Sequence, residues 1–215
     1  LEDKVKLPRV ILADEHTILL EALRKLLETK CDVTGTATNG RALLLMARVQ
    51  KPDLIILDVT MPTLNGLEAA RQLKSYMPDV RIIFLTMHED PNIAQEALSL
   101  GASGYLLKKS TGMELFKAIR EALSGRTYIT PLIVQRMERS FIRNPWESGR
   151  PKSLTPRQRE VVQLLAEGKT MKEVADLLHV VPRTVAFHKY RVMEELELKT
   201  NAGLLQFAIK NHMVA

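Results

Sequence analysis

Cysteine occurs once in the 215 residues, at Cys31. A single thiol cannot close an intramolecular disulfide, so no such framework holds the chain, and the sequence suits a reducing cytosol. No run approaches the roughly 20 apolar residues of a spanning helix. The opening LEDKVKLP is too polar for a signal peptide. A cytoplasmic location with no membrane partner is therefore expected. The Cys and His spacing of a zinc site is missing. So are the GxxxxGK[ST] loop and the glycine fingerprint that cradle nucleotides, which disfavours a nucleotide-using enzyme. There is no internal repeat and no low-complexity tract.

What is present divides into two halves. Residues 1–125 carry 16 basic and 16 acidic side chains, residues 126–150 carry 5 and 2, and residues 151–215 carry 10 and 7. The net charge of +6 thus lies in the second half, which favours a polyanionic partner there.

The first half alternates short β-branched or apolar runs with helically spaced segments. The runs are RVILA (9–13), VTGTAT (33–38), DLIILD (53–58), RIIFLT (81–86) and GYLLK (104–108). Leu19, Leu20, Leu23, Leu26 and Leu27 give the first helical stripe, and four more follow. Five strands alternating with five helices predict an α/β doubly wound five-stranded parallel sheet. In such sheets functional residues gather at the carboxyl edge.

Asp14 and Glu15 follow the first strand, Asp58 ends the third, Thr86 the fourth and Lys108 the fifth. Carboxylates sharing a corner repel one another unless a cation joins them, and oxygen ligands suit Mg²⁺. One of them, Asp58, could attack a phosphoryl group and form an aspartyl phosphate. Lys108 and the metal would then offset charge on the phosphoryl oxygens, and Thr86 would offer a hydroxyl hydrogen bond. Taken singly, each residue has a blander reading: Asp58 and Thr86 as caps, Lys108 as a surface lysine. Gly66 permits a tight approach after Pro62 fixes the loop, and His88 reads as a loop residue near the pocket mouth.

This set closely resembles the receiver domain of bacterial two-component response regulators. The matching residues are Asp14-Glu15, LDVTMPTLNG around Asp58, Leu85-Thr86 and GASGYLLKK from Gly101. The resemblance implies phosphotransfer to Asp58 from a sensor histidine kinase. It implies Mg²⁺ held by Asp14 or Glu15, by Asp58 and by the main-chain carbonyl of Thr60. It also implies a switch role for Thr86 and Tyr105. The usual acidic pair is Asp-Asp, so Glu15 is a departure.

From Ser153 the pattern is helical only. TPRQREVVQLLAEG opens on Thr155 as N-cap with Pro156 at the first helical position, and stops at Gly168. Three further helices are expected, an all-α four-helix domain. The segment 169–196 reads helix, short turn, longer helix, a helix-turn-helix whose second helix enters the major groove. Its outward face is expected to carry Arg183, Ala186, Phe187, Lys189 and Tyr190, with Thr184 on phosphate or as a cap. Between the halves, RNPWESGRPKS has linker composition, with PLIVQRMERSF upstream continuing as helix.

The second half is similar to the DNA-binding domain of the NarL/FixJ or LuxR class. It matches at Leu154-Thr155-Pro156-Arg157, Glu160, Leu164, Gly168, Lys172-Glu173, Ala175, Thr184-Val185, His188 and Leu196. That resemblance implies a recognition helix over 183–196 and a last helix, 201–212, that dimerises the domain, through Leu204, Leu205 and Ala208. A Ser is common where Val181 stands, so a hydroxyl cap is missing there.

The expectation is a receiver at 8–125, a linker at 126–152 and a helix-turn-helix domain at 153–215. Such a chain accepts a phosphoryl group on Asp58 and binds double-stranded DNA as a homodimer formed on activation. It is a regulator, not an enzyme. The alternative is a phosphorylation-independent regulator whose receiver serves for dimerisation or protein binding.

Overall fold

The structure is a computed structural model that describes residues 7–143 and 154–214. The RNPWESGRPKS stretch falls almost wholly outside the described residues.

The α/β unit runs β1 (Arg9–Ala13), α1 (Thr17–Leu27), β2 (Asp32–Ala37), α2 (Gly40–Gln50), β3 (Leu54–Leu57), α3 (Gly66–Tyr76), β4 (Arg81–Thr86), α4 (Pro91–Ser99), β5 (Gly104–Leu107) and α5 (Gly112–Leu123). Every residue of β3 is buried, because helices cover both faces of the sheet. Alternate residues sort to opposite sides. Ile11, Ile55, Leu57, Phe84 and Tyr105 pack with α2, α3 and α4. Val10, Leu12, Leu54, Ile56 and Leu106 pack with α1 and α5. Asn39, Asn65, Asp90 and Thr111 cap α2 to α5 by accepting main-chain N–H bonds.

Strand order is β2-β1-β3-β4-β5-β6, all pairs parallel. The sixth strand, β6 (Tyr128–Ile129), and the helix after it, α6 (Pro131–Arg143), fall within the stretch expected as linker. They belong instead to the α/β unit, since β6 adds to β5 and Ile133 of α6 is fully buried in the same cluster as Ile93 and Ala97 of α4. The order in which strands are added along the sheet reverses between β1 and β3, and that switch point opens a crevice at the strands' carboxyl ends.

The helical unit comprises α7 (Pro156–Ala166), α8 (Met171–Leu178), α9 (Pro182–Glu195) and α10 (Asn201–Lys210). Thr155 and Gln158 form a reciprocal capping box, and Gly168 takes φ +83 where the chain leaves α7. Val181 caps α9 with no side-chain hydrogen bond, and Pro182 supplies the preset first turn. Val161, Leu164, Val174, Ala175 and Val185 make one core cluster, and Val162, Val192, Leu204, Ala208 and Met213 another.

Candidate functional site

Register brings the acidic corner together. Ala13 pairs with Leu57 across β1 and β3, so the next residues, Asp14 and Asp58, leave the sheet side by side. Thr86 pairs with Leu107, which sets Lys108 one step beyond Thr86. The Lys108 ammonium lies 2.7 Å from a carboxylate oxygen of Asp14 and 2.7 Å from one of Asp58. Both carboxylates are buried, at 3% and 4% exposure. Burial works against the Lys108 charge, but its hydrogen bonds to Asp14 and Asp58 outweigh that and raise its pKa above the ordinary lysine value. The other Asp58 oxygen accepts the Val59 N–H at 2.7 Å.

Two carboxylates against one ammonium leave a buried corner with one negative charge in excess, a surplus that favours binding of a cation there. The donor atoms that lie within 4.8 Å of one another come from Asp14, His16 and Asp58. Glu15 is exposed and outside that group. Asp14 turns inward from the strand end, so its neighbour turns out, and His16 closes back, its N–H and Nδ1 each 2.9 Å from an Asp14 oxygen. His16 was invisible to a reading of strand ends because it acts through a turn.

His88 is the meeting point of the corner. Its N–H donates to the Thr86 hydroxyl at 3.3 Å, and its carbonyl accepts from the Tyr105 phenol at 3.0 Å. Its Nε2 is 2.6 Å from the Thr60 hydroxyl, and its ring meets that of His212 edge-on at 4.8 Å. Burial first, then His212, lowers the His88 pKa, which favours the neutral imidazole. Thr86 and Tyr105 are both fully buried, and burial pushes the Tyr105 phenol well above its usual range.

On α9, Arg183, Phe187, Tyr190 and Arg191 are all exposed. Their spacing of four, seven and eight places them on one face. Phe187 and Tyr190 are 63% and 59% exposed, large rings left uncovered on that face. Thr184 and Ala186 sit half-buried beside that face. Lys189 corrects the sequence reading: it is buried, in the stripe of Val185 and Val192. Its stem covers apolar surface while its ammonium lies 5.5 Å from the Tyr190 ring centre. Arg191 is the outward cation that the sequence reading passed over.

The dimerisation residues also need correction. Leu204 and Ala208 of α10 are 3% and 0% exposed, inside the core with Val162 and Val192. Leu205 is exposed as expected, and its neighbour one turn on is Ile209, at 49%. The i, i+4 geometry gives α10 two apolar stripes, and only packing shows which of them faces inward.

Among the described residues no helix is long and apolar enough to cross a membrane. Residues 10–120 match the family model of the response regulator receiver domain, and residues 152–208 that of bacterial regulatory proteins of the luxR family. The chain is 30% identical over 210 residues to the response regulator GacA of Pseudomonas aeruginosa, covering 96% of this chain and 97% of the relative. It is 31% identical over 205 residues to the response regulator UvrY of Escherichia coli, covering 94% of each. Among solved structures it resembles the RcsB response regulator of Salmonella typhimurium, with TM-score 0.60 and 27% identity, over 94% of this chain and 98% of that one. An RcsB–DNA complex matches at TM-score 0.59 and 28% identity, with the same coverage. With the carboxylate corner and the helix-turn-helix both in place, the chain belongs to the bacterial response regulators of the NarL/FixJ type, non-enzymatic transcription regulators whose DNA binding is linked to phosphorylation.

Proposed function

We propose that Asp58 accepts a phosphoryl group from a phosphohistidine of a sensor kinase. The P–N bond breaks as the Asp58 oxygen–phosphorus bond forms, and the leaving imidazole takes a proton from solvent. The observation that carries this reading is the buried Asp58–Lys108–Asp14 triad at the switch point. Lys108 would hold the new phosphoryl oxygens, and Thr86 would turn its hydroxyl to them, with Tyr105 following through His88. Mg²⁺ would be held by Asp14, Asp58 and the main-chain carbonyl of Thr60, with Glu15 or His16 completing the protein side. When bound, the ion offsets charge on the transferring oxygens.

In this reading the receiver of residues 8–125 is extended by β6 and α6, and the rest of 126–152 joins it to a DNA-binding domain at 153–215. Arg183, Thr184, Ala186, Phe187, Tyr190 and Arg191 face double-stranded DNA, and homodimers pair through Leu205 and Ile209. This work belongs in the cytoplasm, with the DNA and the reducing conditions that suit Cys31.

The test is duplex selection from a random library by the wild-type chain, with and without beryllium trifluoride and Mg²⁺. Tighter selective binding with the phosphoryl mimic supports the reading; equal binding in both states sinks phosphorylation as the on-switch. Arg183→Ala and Tyr190→Ala should each weaken the selected complex by about 1–3 kcal/mol. Lys189→Ala should instead lower the melting temperature. In sedimentation runs with the mimic, Leu205→Glu should leave monomer where the wild type dimerises; a persisting dimer would move the interface elsewhere.

A further inference from the structure

The helical unit rests on the loop that carries the phosphoacceptor. The buried Gln163 side chain of α7 donates to the Met61 carbonyl and accepts the Asn65 N–H, both at 2.9 Å. Its second amide hydrogen goes to Glu167 at 2.8 Å, and Glu167 in turn accepts the Thr63 N–H at 2.9 Å. Gln163 thus substitutes for a backbone partner along residues 61–65, using both donors and its acceptor. Nearby, Arg159 pairs with the buried Glu68 at 2.8 Å. On the far side, His212 lies against His88 and reaches Asp90 at 3.4 Å.

These contacts grip both ends of one bridge. Thr60 and His88 stand two residues beyond Asp58 and Thr86 on adjacent parallel strands, and their 2.6 Å hydrogen bond ties the β3–α3 and β4–α4 loops together. Gln163 and Glu167 fix the first loop, and His212 backs the second. The grip holds a strained conformation: Thr63, a β-branched residue, sits at φ +63, and its hydroxyl is buried with no hydrogen-bond partner among the described residues. Yet Phe187 and Tyr190 stay open to solvent, so docking does not cover the face of α9 that would read bases.

We propose that the DNA-binding domain acts back on the receiver, with Gln163 as a positioning residue that braces the Thr60–His88 latch and slows phosphoryl entry at Asp58. This rests on the reading of Asp58 as phosphoacceptor. Phosphoryl uptake then proceeds from the fraction of molecules whose domains have parted, and the observed rate scales with that fraction. Control runs from output domain to receiver, and the base-reading face is available in both states.

The full chain is incubated with acetyl phosphate and Mg²⁺, and uptake is followed on phosphate-affinity gels. Binding to a duplex selected from a random library is measured beside it without phosphodonor. Gln163→Ala with Glu167→Ala, and separately His212→Ala, should take up phosphoryl at least about fivefold faster than wild type, with unphosphorylated DNA affinity unchanged. Glu167→Gln keeps the accepting oxygen and should stay near the wild-type rate. Thermal melts confirm that each variant is folded, and the tail variant serves if the helix variant is not. Unchanged uptake in folded variants, with uptake still lost in Asp58→Asn, overturns the brace but leaves Asp58 as acceptor. Unchanged uptake with tighter DNA binding replaces the brace by a mask. No uptake by any protein overturns both readings.

Discussion

Asp58→Asn takes up no phosphoryl group from acetyl phosphate, while its fold survives. An amide oxygen is a far poorer nucleophile than a carboxylate, and the substitution keeps size and shape. It also removes the surplus charge of the corner, leaving Lys108 opposite Asp14 alone. Without divalent cation the variant should therefore melt at or above the wild-type temperature, since a buried charge lacking full compensation has been taken away. Added Mg²⁺ should separate the two proteins in the other direction. A ligand that binds only the folded state at a hundredfold excess over its Kd stabilises it by about 2.7 kcal/mol. Wild type should gain on that scale, and Asp58→Asn much less. Calorimetry with and without Mg²⁺, beside the phosphate-affinity gel, checks both halves. Full phosphoryl uptake by the variant would move the acceptor elsewhere.

Gly66→Ala should be the most damaging single methyl group in the α/β unit. A Cβ at Gly66 would lie 1.9 Å from the Asp58 carbonyl oxygen and 2.9 Å from its carbonyl carbon. Both neighbours are backbone and cannot swing away as a side chain could. Gly66 also donates its N–H to Val59 at 2.8 Å, so the loop would have to open and give up that bond. Overpacking of this kind costs about 3 kcal/mol, a fall in melting temperature of roughly 6–12 °C at this chain length. Because the displaced atoms belong to Asp58 and Val59, phosphoryl uptake should fall too. Gly112→Ala is the control: its Cβ meets only the Leu26 side chain, at 3.4 Å, an ordinary contact, and stability should change by less than about 0.5 kcal/mol. Equal melting temperatures for the two variants would mean that the close approach at Gly66 is not a constraint.

The residue sequence by itself determined whatever rests on contacts within a few positions or on the period of a strand. The apolar run 54–57 reads as a strand covered on both faces, and a residue that follows such a strand leaves at its carboxyl edge. Asp14, Asp58, Thr86 and Lys108 were legible for that reason. Thr155 announced its own N-cap, and Val181 the missing hydroxyl of its own. Only the tertiary structure decided which way a helix is rotated and what meets across long separations. Leu204 and Leu205 are adjacent in sequence and equally apolar, yet packing of α10 on α7 and α9 buries one and exposes the other. Lys189 carries the charge of a phosphate contact, but the Val185 stripe turns it inward. One turn brings His16, and not its neighbour Glu15, up to the carboxylates of Asp14 and Asp58. Gln163 is an unremarkable polar residue until folding brings it, across about a hundred positions, against the main chain of residues 61–65. Its hydrogen bonds are local in space but not in sequence, and no periodicity carries them.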